Sequence, residues 1–362
     1  MQLRAAAPAG PGAGPGGAVS NDRFLKACRR EPVDTVPVWI MRQAGRYLPE
    51  YRAVRAGHPF LEMCRTPELA AQVTLQPVSR LGVDAAILFS DILIPLAPMG
   101  VPLEFVEGRG PVLGRGLRDR ADVDRLRLPD VQGELGFVLE TIRILRRELE
   151  GKVPLLGFCG LPFTLASYAV EGGKSRDFAK LRGLMREAPE TFAALMDKLA
   201  RMTIAYAGAQ IAAGAQAVQL FDTWAGMLEP AEYEAQVLPY TLQVVSALRG
   251  CGAPLIHYTQ DCRRLLPLLR SLPVDVLSID WRVPLDEAAA AVGPGHVLQG
   301  NLDPEILLKP AAEVAAAAEE VLRQGRAAAG HIFNLGHGIL PGTDPRTAEA
   351  LIEAVHRLGR QG

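Results

Sequence analysis

Cysteine is scarce in this chain. Its 362 residues hold only Cys28, Cys64, Cys159, Cys251 and Cys262, an odd set with no CxxC pair. That pattern excludes a disulfide framework and a cysteine-rich zinc site, and it fits a reducing cytoplasm. Long apolar runs are missing too, since none approaches the ~18 residues that cross a bilayer. Nor is there a surplus of one charge. With 39 basic against 40 acidic side chains, the whole molecule has no field to recruit nucleic acid or an anionic membrane. Anion binding must therefore be local. The common catalytic signatures are absent as well: there is no GxxxxGK(S/T) loop, no GxSxG elbow and no HExxH helix.

The first stretch, MQLRAAAPAGPGAGPGGAVS, lacks the continuous apolar segment of a secretory signal. Its glycine, proline and alanine bury too little surface to offset the entropy of ordering, so residues 1–20 are expected to be a disordered tail. Residues 21–362 are then one domain. Its size is within reach of a single α/β barrel, and 49% hydrophobic with 22% charged residues is an ordinary globular balance.

Short apolar runs punctuate that domain: VPVWIM (36–41), AAILF (85–89), VPLLGF (153–158), AVQLF (217–221), PLIHY (254–258), VLSID (276–280), HVLQG (296–300) and HIFNLG (331–336). Near-continuous hydrophobicity without alternation suits parallel strands covered on both faces. Helical patterns lie between them. Residues 66–82 open on Thr66 and Pro67, 133–151 close on glycine, and 303–325 repeat the Asp-Pro start, with Pro310 breaking the segment in two. Residues 184–213 read as one helix or two. The alternation predicts a (β/α)8 barrel, with a doubly wound open sheet as the alternative. Residues 101–117, two strand-like runs around EGRG, predict a β-hairpin over the active-site face.

Barrel enzymes carry their chemistry at the carboxyl ends of the strands. Here those ends supply Arg42, Gln43 and Arg46, then Ser90 and Asp91, Tyr168, Asp222 and Thr223, His257 to Thr259, Asp280, Asn301 and His337. The first group stands out. PVWIMRQAGRYLPEYR brings Arg42, Arg46 and Arg52 against the single acid Glu50 as a buried strand surfaces. On a helical turn Arg42 and Arg46 would share a face, Gly45 would permit a sharp path, and Gln43 would add amide donors. The pattern reads as a solvated turn or as a site for several carboxylates, and its position favours the second. Asp91, after AAILFSD, reads as a helix N-cap or as a carboxylate held in an apolar cavity. His337, between two glycines, reads as a structural histidine or as a ligand or general acid.

Taken together, these residues resemble the uroporphyrinogen decarboxylase family. PVWIMRQAGRYLPEYR is similar to its amino-terminal signature, and ILFSDIL, GLPFTLASYAVEGG, LFDTWAG, GNLDP and FNLGHGILP are similar to its later blocks, in order. The resemblance runs from about Asn21 to the carboxyl terminus. It implies a (β/α)8 barrel that forms a head-to-head homodimer and removes the four acetate carboxyls of uroporphyrinogen III, giving coproporphyrinogen III, without metal or organic cofactor. By the same resemblance, substrate binding falls on Arg42, Gln43, Ala44, Gly45 and Arg46, on Asp91, Tyr168, Thr223 and His337, with Asp91 also stabilising the cationic intermediate. Thr223 stands where many members carry serine and keeps the hydroxyl.

Two other readings compete. Zinc-dependent methyltransferases of the same superfamily need a His-x-Cys pair and a late cysteine, whereas this chain has His257-Tyr258-Thr259 and no cysteine beyond Cys262. A non-catalytic tetrapyrrole carrier would use the same cleft but has no need of Asp91.

Overall fold

The computed structural model describes residues 21–106 and 108–360. The sequence expectation for residues 1–20 therefore lies outside the described residues. Nine strands occur within the described part: β1 Ala86–Ile87, β2 Glu104–Val106, β3 Gly110–Val112, β4 Leu155–Gly160, β5 Ala217–Phe221, β6 Leu255–Thr259, β7 Val276–Ile279, β8 Val297–Leu302 and β9 His331–Leu335. Seven of them form one parallel sheet in the order β1-β4-β5-β6-β7-β8-β9. Helices follow the strands and cover the outer face, as parallel crossovers require.

Residues 36–41 close the sheet into a barrel. They form an extended segment rather than a regular strand, bridging in parallel at Val38–Phe333. Phe333 donates its N–H to the Pro37 carbonyl at 2.8 Å, and on the other edge Asp84 donates to the Val38 carbonyl at 2.8 Å. The eighth barrel position is thus filled, but by a segment whose ladder bonds are few. The reason is local. The Val38 N–H is taken at 2.7 Å by the Asp84 side chain, and the Met41 N–H at 2.8 Å by Asn334, so side chains replace part of the ladder.

The barrel interior is packed and partly polar. The Trp39 indole donates to Gln299 at 2.9 Å. Gln299 in turn donates to Gln219 at 3.1 Å and to Ser278 at 2.9 Å, joining β5, β7, β8 and the closing segment across the interior. Buried amides of this kind carry a desolvation cost unless they are bonded, so the network fixes the strands' relative placement.

The helices follow their sequence signals. Pro67–Leu81 begins after Thr66 with proline at its first position and ends on Gly82 at φ 70, a left-handed cap suited to glycine. Pro310 separates the short Pro304–Leu308 turn from Ala311–Gly325. The stretch around residues 184–213 is two helices, Ala179–Glu187 and Pro189–Ala213, parted by Pro189. The hairpin is present: β2 and β3 pair antiparallel, and a bridge from Val112 to Gly173 ties them to the end of the helix Pro162–Glu171.

Candidate functional site

The turn after the closing segment is where the cationic cluster surfaces. It is not helical, contrary to the spacing argument, and the next helix, Pro49–Gly57, begins only later. Two features prevent a helical turn. Arg42 lies at φ 64, a left-handed conformation that costs a non-glycine residue on the order of 1–3 kcal/mol. The Gln43 side chain meanwhile folds inward, accepting from the Ile40 N–H and donating to the Ala85 carbonyl, both at 3.0 Å. Gln43 is fully buried. Its amide is thus committed to the backbone, and the expectation that it offers donors to a ligand is corrected: the side chain positions the turn. Gly45 is required because a Cβ there would stand 2.9 Å from the Arg42 carbonyl oxygen. Ala44, beside it, is half-buried against the core.

Glu50, the one acid in this stretch, pairs with Arg80, which also holds Glu349 at 2.8 Å. Arg42 and Arg46 are both exposed and have no ion-pair partner among the described residues. Arg52 donates to the Tyr47 carbonyl at 3.1 Å. The cluster therefore divides into one backbone-tied arginine and two available guanidiniums. Their positions differ. The Arg42 charge is felt at Asp91, Tyr168 and His337, whereas that of Arg46 is felt at Tyr51.

Asp91 sits just past β1, half-buried and flanked by Ile92, Leu93 and Ile94. Its Oδ1 accepts the Leu93 N–H at 2.9 Å and its carbonyl accepts the Ile94 N–H at 3.2 Å, so it caps a tight turn, not a helix. Burial raises its pKa above the ordinary aspartate value, and the Leu93 N–H and the Arg42 charge only partly offset this. A carboxylate so placed retains strong attraction for any cation that enters.

Tyr168 and His337 share this neighbourhood. Tyr168, on the helix Pro162–Glu171, has its phenol pKa raised by burial and next by the negative charge of Asp91. His337 is held to a pKa of about 4 by burial, and then by the positive charges of Arg42 and Arg282. Its Nδ1 accepts the Gly338 N–H at 2.6 Å. A neutral ring accepting at Nδ1 carries its proton on Nε2, where it is a donor. Tyr258 and Trp281 pack edge-on against the imidazole, with centroids at 6.3 and 6.0 Å.

Thr223 stands one wall away. It lines a cavity of about 510 Å3 together with Trp224, whose ring lies 6.3 Å from that of Tyr168. Arg42, Asp91, Tyr168 and His337 thus share one electrostatic neighbourhood, with Thr223 reached through Trp224. Trp224, Trp281 and Arg282, each one or two residues past a residue expected from the sequence, were not themselves expected. The Arg282 guanidinium lies 3.9 Å over the Trp281 ring. An aromatic directly after Thr223 and an aromatic-arginine pair after Asp280 were the available signals.

Of the strand-end residues, Asp280, His257 and Asn301 turn inward. Asp280 accepts the Cys262 and Arg282 N–H groups at 2.9 and 3.0 Å, and His257 is fully buried. The five cysteines are unpaired. Among the described residues no group of three or more histidine, cysteine or acidic side chains stands together as a metal cage, and no helix is long and apolar enough to cross a membrane.

Comparison with solved structures supports the barrel. A methyltransferase from Methanosarcina mazei superposes with a TM-score of 0.79 over 94% of this chain and 98% of that one, at 22% identity, a likeness of fold alone. Sequence comparison is more specific. The uroporphyrinogen decarboxylase of Trichlorobacter lovleyi is 52% identical over 341 residues, covering 94% of this chain and 100% of that protein. That of Sorangium cellulosum is 51% identical over 340 residues, covering 94% and 97%. The family model described as uroporphyrinogen decarboxylase (URO-D) matches residues 19–358. The chain belongs to the uroporphyrinogen decarboxylase family.

Proposed function

We propose that the chain decarboxylates the four acetate arms of uroporphyrinogen III to give coproporphyrinogen III, and that Asp91 stabilises the cation through which each step passes. The observation that most supports the site assignment is that the Arg42 charge is felt at Asp91, a carboxylate whose pKa burial raises. Relatives more than half identical over nearly the whole chain carry the activity.

The chemistry follows from these groups. Protonation of the pyrrole carbon beside an acetate makes the ring cationic, and that ring takes up the electron pair left as carbon dioxide departs; the exocyclic methylene so formed then takes a proton to become a methyl group, and the ring carbon gives up its own proton, which restores the pyrrole. Asp91 accepts hydrogen bonds from the pyrrole N–H groups, and its attraction grows as positive charge develops, which lowers the barrier. Arg42 binds a substrate carboxylate and Arg46 receives another at the rim. Gln43, Ala44 and Gly45 shape the turn that presents them. Tyr168, Thr223 and His337, through phenol, hydroxyl and Nε2–H, donate to the remaining arms.

This work is assigned to residues 21–362 acting as one domain in the cytoplasm, paired as a homodimer with facing clefts. The unpaired thiols support the compartment and the family resemblance supports the pairing. The methyltransferase reading lacks its thiolates, since β6 ends His257-Tyr258-Thr259. Anaerobic uroporphyrinogen III supplied to the purified protein is expected to lose its acetate carboxyls stepwise. Unchanged substrate would overturn the proposal.

A further inference from the structure

The cavity beside Thr223 is built for an anion on an apolar support. Phe178, Trp224 and Met227 form its floor, the first two with ring centroids 5.1 Å apart. Arg176, Arg182, Thr223 and Gln260 supply its polar wall. Two acids also line it, but both are engaged elsewhere. Asp177 accepts from Ser175 and from the Ala179 N–H, each at 3.3 Å, and Asp261 lies 3.5 Å from Arg282. The arginines are less committed. Arg182 spends Nη2 on the Met227 carbonyl at 3.0 Å, and Arg176 has no hydrogen-bond or ion-pair partner among the described residues. The Gln260 Oε1 is buried without a partner; as an acceptor it can take a pyrrole N–H of a ligand, not its carboxylate.

The cavity opens on the same barrel face as the cleft. Trp224 meets Tyr168 on one side. On the other, Asp261 leads to Arg282, which lies over Trp281, and Trp281 packs on His337. A macrocycle lying over Asp91 therefore extends its arms toward this pocket, and Arg42 and Arg46 alone leave those arms without cations.

We propose that this cavity is a second anchoring site of the cleft, taking a pyrrole edge of the substrate on Trp224 and Phe178 and its carboxylate arm on Arg176 and Arg182. The inference rests on the reading of the function given above. It assigns Arg176 and Arg182 to substrate binding, with no part in bond breaking.

Two measurements on the full chain test it: steady-state decarboxylation of anaerobic uroporphyrinogen III, and fluorescence-detected binding of oxidised uroporphyrin III, which needs no turnover. Arg176→Ala is expected to raise KM and weaken porphyrin binding by about fivefold, the scale of one partly exposed charge contact, with kcat little changed. Adding Arg182→Ala deepens the loss, and Arg176→Lys restores much of it. If Arg182→Ala perturbs folding through its lost Met227 bond, Arg176→Ala decides. Normal turnover with KM and porphyrin binding unmoved in Arg176→Ala overturns the pocket. A wild-type protein that binds porphyrin through these arginines but does not decarboxylate overturns the functional reading and leaves the pocket standing.

Discussion

Arg42 lies across Gly338, so close that a Cβ added at position 338 would stand 2.5 Å from the arginine Cδ and 2.9 Å from its Cγ. The glycine beside His337 is thus the groove in which the Arg42 side chain rests. Gly338→Ala should displace a flexible side chain while leaving the backbone in place. We expect kcat/KM to fall about tenfold, the scale of one charge-assisted hydrogen bond, with little change in thermal midpoint. A lowered midpoint with normal activity would contradict this.

Asp84 is the structural counterpart of Asp91. Fully buried, it accepts from Asn21 at 2.7 Å, Arg23 at 2.8 Å, Val38 N–H at 2.7 Å and His356 at 2.8 Å, joining both ends of the described chain to the barrel's closing segment. Asp84→Ala should cost about 3–5 kcal/mol by stranding buried partners. Burial alone would raise its pKa, but His356, Asn21 and the Val38 N–H outweigh that and lower it. A lowered pKa gives stability that is full above the unfolded value and lost as pH falls below about 4. Urea unfolding from pH 6 to pH 3 should show that loss in the wild type and less of it in the variant.

Asp222 has the opposite sign. It is buried, accepts from Thr164 Oγ1 at 3.1 Å, and has its pKa pushed up to about 7 by burial, against which the Thr164 side-chain and backbone hydrogen bonds act only in part. Its contribution is full below the unfolded pKa and declines as pH rises through about 7, because the folded state resists ionisation. Asp222→Asn should therefore gain stability relative to wild type between pH 5 and pH 8. Parallel stability curves for the two proteins would refute the assignment.

The acid limb of the pH–activity profile follows from Asp91. Its pKa is raised by burial and restrained by Arg42, so a catalytic carboxylate there protonates, and activity falls, at a higher pH than an ordinary aspartate allows. Arg42→Gln removes the restraint and should move the limb of kcat/KM upward. His337, with a pKa of about 4, stays neutral through this range. A limb that does not move in Arg42→Gln would show that Asp91 does not set it.

Much of the barrel was legible in the sequence, because fully buried parallel strands must be continuously apolar, and most of the eight runs appear within one or two residues of their expected limits. The first did not become a regular strand, since Asp84 and Asn334 take its backbone donors, and such long-range bonds leave no periodic trace. The local spacing of Arg42 and Arg46 misled for a similar reason. It suggested a helical turn, while Gln43 looked like a donor to ligand; the buried Ala85 carbonyl that claims its amide is 42 positions away. Asp91, Tyr168 and His337 were singled out as polar residues following apolar runs. Trp224, Trp281 and Arg282 were not, because an indole or a guanidinium in a loop carries no local sign of its partner, and their packing on Tyr168 and His337 is made only in the fold.

The most direct measurement compares wild type with Asp91→Asn, which keeps the shape of the side chain and an oxygen for the Leu93 N–H but removes the negative charge. Uroporphyrin binding is expected to stay within a few-fold of wild type while anaerobic decarboxylation falls by at least about 100-fold. Turnover equal to wild type in that variant would contradict the role assigned to Asp91.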